Sequence, residues 1–106
     1  MKVLLDEMLP VAVASLLPER RVTTVEAAGY TGLLNGELMR RAVADGYDVL
    51  VTADRNLPAQ QNVTASGIAV VLVRGSRMAD IEPQAARTRA AVAEVRPGTV
   101  TRVESG

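Results

Sequence analysis

The sequence contains no cysteine, no histidine, no phenylalanine and no tryptophan, and its only lysine is Lys2. Each absence removes a class of chemistry. Without cysteine there is no disulfide framework, no thiolate nucleophile and no sulfur-ligated zinc. Without histidine there is no imidazole base, no Ser-His-Asp triad and no histidine metal ligand. A single lysine at the chain start argues against a phosphate-loop lysine or a Schiff base. Chemistry therefore falls to carboxylates, and carboxylates without imidazoles favour hard cations such as Mg²⁺ or Mn²⁺. The only aromatic residues are Tyr30 and Tyr47, too few for a platform on which bases stack. No apolar run approaches the ~20 residues needed to span a bilayer. Asp6 and Glu7 interrupt the first apolar run, so no signal-type segment is expected; the expected location is the cytoplasm, with no membrane partner.

The residues that are present describe a small aliphatic domain. At 106 residues the chain is expected to form one domain, residues 1–106, with a core of Ala, Val and Leu. Twelve basic and twelve acidic residues cancel, which argues against coating nucleic acid through an overall field. Eleven of the twelve basic residues are arginine, the side chain suited to bidentate phosphate contacts, so local arginine placement matters more than the total.

Short apolar runs alternate with amphipathic stretches. Lys2 to Leu5 reads as a buried strand that ends at Asp6-Glu7. Pro10 suits the first turn of a helix with Val11, Ala14, Leu17 and Val13, Leu16 on its apolar side, stopped by Pro18. Val22 to Val25 reads as a second strand. Three glycines between Gly29 and Gly36 mark a loop, after which Asn35 caps a helix from about Gly36 to Asp45 that buries Leu38, Met39, Ala42 and Val43. Val49 to Thr52 is the third strand, followed by Asp54 and a short helical segment opened by Pro58. Ile68 to Val73 reads as a central strand. Asp80 caps a last helix with Ile81, Ala85, Val92 and Val95 inward and Pro83 in its first turn, and Thr99 to Val103 reads as an edge strand. This order predicts an α/β fold, a mostly parallel central sheet with helices on both faces in three α/β/α layers.

In such sheets ligands bind beyond the carboxyl ends of the strands. Asp6 follows the first strand, Asp54 follows the third, and Glu37 lies in the first turn of the helix after the glycine loop. The topology sends all three to one end of the sheet, where they would repel one another unless a cation sat between them. Each also has a structural reading: Asp6 as a helix cap, Glu37 as a partner of the helix dipole, Asp54 as a turn residue before Pro58.

The segments LLDEMLP at 4–10, NGELMRRA at 35–42 and LVTADRNLPAQQNV at 50–63 resemble the short PIN-like family labelled DUF5615, and the likeness runs through essentially the whole chain. The resemblance implies a PIN-like fold whose acids, here Asp6, Glu37 and Asp54, bind Mg²⁺ or Mn²⁺. It also implies a bacterial ribonuclease toxin, often encoded beside a small antitoxin protein, with RNA as substrate and a homodimer as a further expectation. Carried onto this chain, Asp6 and Asp54 are direct metal ligands and Glu37 is a ligand or orients the attacking water. Glu7 ranks lower, because strand alternation aims it elsewhere. Arg55 is the first candidate for a phosphate contact and Arg74 the next, while Arg77 reads as solvated surface. Asn35, the expected helix cap, stands with Asn56, Gln60 and Gln61 in a further rank, the last three as contacts to base or sugar edges or as ties within the loops.

The chain departs from the family pattern at one point. Where a fourth acid usually follows the fourth strand, this sequence reads Val73-Arg74-Gly75-Ser76, with no acid before Asp80. That departure puts a two-metal site and full nuclease activity in question, and it motivates an alternative, a non-catalytic PIN-like module that binds an antitoxin or another protein. A phosphoacceptor receiver domain would share the placement of acids but requires a lysine after a late strand, which this chain lacks.

Overall fold

A computed structural model describes residues 1–18 and 20–103. Five strands form one parallel sheet: β1 (Lys2–Leu5), β2 (Arg21–Thr24), β3 (Val49–Thr52), β4 (Ala69–Leu72) and β5 (Val100–Arg102). Their order is β2-β1-β3-β4-β5. All four neighbouring pairs run parallel, with Val3 beside Val49 and Leu5 beside Val51 in the central pair. The central strands are near-continuous β-branched and leucine runs because both of their faces are covered. The edge strands β2 and β5 are only partly buried, as the polar Thr and Arg in them require.

Strand alternation sorts the aliphatic side chains into two layers. Val3, Leu5, Val49, Val51 and Val71 pack on one face with Val13, Ile81 and Val92. Leu4, Leu50, Val70 and Leu72 pack on the other with Leu38, Met39, Ala42, Leu57 and Val63. The first face is covered by a 3₁₀ helix (Val11–Leu16), α4 (Met78–Ile81) and α5 (Ala85–Ala93). The second is covered by α1 (Asn35–Ala44), α2 (Leu57–Gln60) and α3 (Val63–Ser66). The result is the expected three-layer α/β/α arrangement, with the sheet wholly parallel. Among the described residues no helix is long and apolar enough to cross a membrane.

Three helical expectations need correction. The segment after Pro10 is 3₁₀ rather than α: it buries Val13, while Val11 is 69% exposed. With 3.0 residues per turn, the stripe expected for an α-helix does not line up. Asn35 does not cap α1; Leu34 holds that position, and Val43 lies outside the buried stripe. The last helix is not continuous. Its first turn is α4, a 3₁₀ turn at Glu82–Gln84 then intervenes, and α5 follows. Pro83 has no N–H to continue the α-helical ladder, which accounts for the break. Asp80 lies inside α4 and accepts the Arg77 backbone N–H at 3.2 Å; the Arg77 side chain beside it holds its carboxyl below the usual carboxylate range.

Both tyrosines and the lysine gather at the amino-terminal edge of the sheet. The Tyr30 and Tyr47 rings meet edge to face at 6.2 Å, and the Lys2 ammonium lies 4.3 Å from the Tyr47 ring centre. Lys2 Nζ also donates to the Asp45 carbonyl at 2.8 Å, and the buried Tyr30 hydroxyl donates to the Asp45 carboxylate. Burial, then this hydrogen bond, push the Tyr30 pKa from its ordinary value up to about 12. The folded protein thus keeps the Tyr30 proton where the unfolded chain has lost it, so stability falls as pH rises from about 10 through about 12. Urea midpoints measured across this range are expected to drop for the wild type and to flatten in Tyr30→Phe.

Candidate functional site

The site is built at the carboxyl edge, where β1 and β3 part. From β1 the chain crosses to β2 on one side, and β3 hands on to β4 on the other, so a crevice opens between their ends. The β1 ladder runs one step past the strand: the Asp6 N–H donates to the Val51 carbonyl at 2.9 Å. That places Asp6 beside Thr52. By alternation both have the parity of Leu4 and Leu50, the face that carries α1.

Thr52 is fully buried and joins the two aspartates. Its Oγ1 donates to Asp6 Oδ2 at 2.6 Å and accepts the Asp54 backbone N–H at 3.1 Å. The direction is forced, because an N–H can only donate and the hydroxyl has one proton to give. Met8 Sδ, 3.5 Å from the same oxygen, is a much weaker competitor for that proton than the carboxylate. The Asp54 carboxylate is held on both oxygens: Oδ1 accepts the Asn56 backbone N–H at 3.0 Å, and Oδ2 accepts Asn35 Nδ2 at 3.1 Å. The first bond closes the local turn expected of an aspartate here. The second ties the first residue of α1 to the end of β3.

Asp6, Asp54 and Asn35 are therefore brought into one hydrogen-bonded group through Thr52. Glu37 sits in the first turn of α1, but its carboxylate pairs with Arg40 Nη2 at 2.5 Å. Among the described residues no group of three or more acidic side chains is arranged to hold a metal ion. Glu7 is exposed, in keeping with its lower rank. Arg55 and Arg74 are exposed where β3 and β4 end, and Gln60 is exposed on α2. Gln61 is partly buried against α1, its Oε1 standing 3.0 Å from where a Cβ on Gly36 would lie. After β4 the chain turns at Gly75 and brings the Asp80 side chain back against it.

Thr52 is the participant that reading the sequence missed. Its signal was present in the T-x-D text at the end of β3, but a threonine in a strand is ordinarily a packing residue. Asn35, expected as a helix cap and ranked low among the site residues, donates instead to Asp54. No family model, no curated protein and no solved structure matches this chain.

The Thr52 hydroxyl is the testable centre of this arrangement. Thr52→Val keeps the shape and removes both hydrogen bonds, and is expected to cost about 1–3 kcal/mol in urea unfolding. Thr52→Ser, which keeps the hydroxyl, is expected to recover most of that loss. Equal stability of wild type and Thr52→Val would mean the hydroxyl does not hold the aspartates.

Proposed function

We propose that this chain is a divalent-metal-dependent ribonuclease that hydrolyses phosphodiester bonds, acting as the toxin of a bacterial toxin–antitoxin pair. The observation that carries the reading is the convergence of Asp6 and Asp54 on Thr52 at the switch point of a parallel sheet. The substrate class and the toxin role come from the resemblance of the LLDEMLP, NGELMRRA and LVTADRNLPAQQNV segments to the PIN-like family.

The donor chemistry fits Mg²⁺ or Mn²⁺. Two carboxylates, a hydroxyl and a carboxamide are all hard oxygen donors, and Mg²⁺ commonly takes one or two carboxylates with water and substrate phosphate completing its shell. Asp6 and Asp54 would hold the ion, and Glu37 would join them on leaving Arg40. When bound, the ion would neutralise charge on the phosphodiester and make a water acidic enough to attack it. The chain's own residues supply position. Thr52 keeps Asp6 aimed at the crevice, and Asn35 and the Asn56 N–H fix both oxygens of Asp54. Arg55 and Arg74, at the ends of β3 and β4, would contact phosphate oxygens.

A second reading, the non-catalytic interaction module, is favoured by one observation. Large apolar side chains are exposed around the same crevice: Leu34, 83% exposed, precedes Asn35, and Met8 and Val11 follow Asp6. Such residues suit a protein partner, an antitoxin or a second copy of the chain. The receiver-type reading gains nothing from β5, which reads Val100-Thr101-Arg102, and Lys2 lies at the opposite edge of the sheet.

Incubation of the purified protein with a mixed RNA pool in Mg²⁺ or Mn²⁺ separates these readings. Cleavage is expected, is abolished by EDTA, and falls in Asp54→Asn by more than about 100-fold, beyond the loss typical of an outer-shell partner. No cleavage by a folded wild type that binds Mn²⁺ would overturn the ribonuclease reading in favour of the interaction module.

A further inference from the structure

Beside the acids, α1 and α3 leave a groove of about 240 Å³ walled by Gly36, Arg40, Gln61, Asn62 and Ser66 over Met39. Its mouth adjoins the acidic site, because Gly36 directly follows Asn35, whose side chain donates to Asp54. A glycine inside a helix is unfavourable relative to alanine, and here its bareness has a spatial consequence. A Cβ on Gly36 would stand 3.0 Å from Gln61 Oε1 and 3.8 Å from Arg40 Nη1, so the glycine leaves room for both the carboxamide and the guanidinium over the first turn of α1.

The walls divide into fixed and adaptable parts. Asn62 Oδ1 caps α3 by accepting the Ala65 N–H, and Ser66 Oγ bonds to the Val63 carbonyl and the Ile68 N–H, so both are tied to local backbone. The Arg40 side chain is 72% exposed and pairs with Glu37, a surface pair that contributes little to stability. Two oxygens of a tetrahedral phosphate can accept from the planar guanidinium fork in place of that carboxylate.

We propose that this groove binds one nucleotide unit of single-stranded RNA next to the scissile phosphodiester. Arg40 takes the backbone phosphate, and the Gln61 carboxamide offers one donor face and one acceptor to the sugar or base edge. The groove is open, as a strand continuing across the surface requires. With no aromatic side chain in the groove, recognition falls to phosphate and hydrogen bonds rather than stacking. The proposal rests on the hydrolase reading of Asp6 and Asp54, and it makes Arg40 a substrate-binding residue and Glu37 its resident competitor.

The test measures binding and cleavage separately. A fluorescent single-stranded RNA is titrated with the full chain in EDTA over a salt series, using wild type, Arg40→Gln, Ala65→Glu and Arg20→Gln. Loss of one charged phosphate contact is expected to weaken Arg40→Gln by about tenfold and to lower the slope of log K against log salt by about 0.7. Ala65→Glu places a carboxylate in the groove at the third position of α3, where glutamate suits the helix, and is expected to weaken binding comparably. Arg20→Gln makes the same charge change before β2, at the opposite edge of the sheet, and is expected to bind as wild type. Absence of wild-type binding, unchanged binding in Arg40→Gln, or an equal loss in Arg20→Gln overturns the subsite. In Mg²⁺, cleavage with an unaltered KM in Arg40→Gln would sink the groove and leave the ribonuclease standing. Salt-sensitive binding that needs Arg40, without cleavage, would sink the ribonuclease and leave the groove.

Discussion

The in-register parallel pairing of β1 with β3 is the contact on which the rest of the structure depends. Val3, Leu4 and Leu5 sit beside Val49, Leu50 and Val51, and alternation sends one set of side chains into each hydrophobic layer. A slip of one residue would exchange the two layers and turn every aliphatic side chain of the strand to the wrong face. It would also separate Asp6 from Thr52, since their contact is the next rung of the same ladder. Core and candidate site are thus specified by one register.

The site then depends on a hydroxyl that solvent does not reach. Two aspartates at neighbouring strand ends repel one another in the absence of a cation. Thr52 donates to the Asp6 carboxylate and orders the Asp54 backbone, and Asn35 brings a donor from α1 to the Asp54 carboxylate. The pair is held in place by donors and not merely left exposed, an expected form for carboxylates pre-positioned for a ligand. Glu37 behaves differently. Its Arg40 partner lies one helical turn along α1, and a local i,i+3 contact closes more readily than one across the crevice.

The two edges of the sheet divide their tasks. The amino-terminal edge holds the lysine, both tyrosines and Asp45 in a group that anchors α1 and the starts of β1 and β3. The carboxyl edge holds the aspartates, the exposed arginines and the apolar rim. With no phenylalanine or tryptophan, the aliphatic layers carry the burial and Tyr30 is the largest fully buried side chain.

The five strands, their parallel sense, the three layers and the position of Asp6 and Asp54 beyond strand ends were legible in the sequence. Apolar runs too short for helices, bounded by turn residues, admit few other arrangements. Helix detail was less legible. The 3₁₀ turn after Pro10 and the break at Pro83 depend on how a few residues fit between neighbours, and periodicity over six residues does not separate a 3.0 from a 3.6 repeat. The partners of the acids were not legible. Nothing local says that Thr52 will donate to a residue 46 positions earlier, that Asn35 will leave the helix cap for Asp54, or that Glu37 will choose Arg40. The sequence by itself determined which residues are apolar, at what period, and therefore which strand ends carry acid. Which partners those acids find was decided only by tertiary structure, because a hydrogen bond between distant residues is set by strand register and helix placement, and both are properties of the whole sheet.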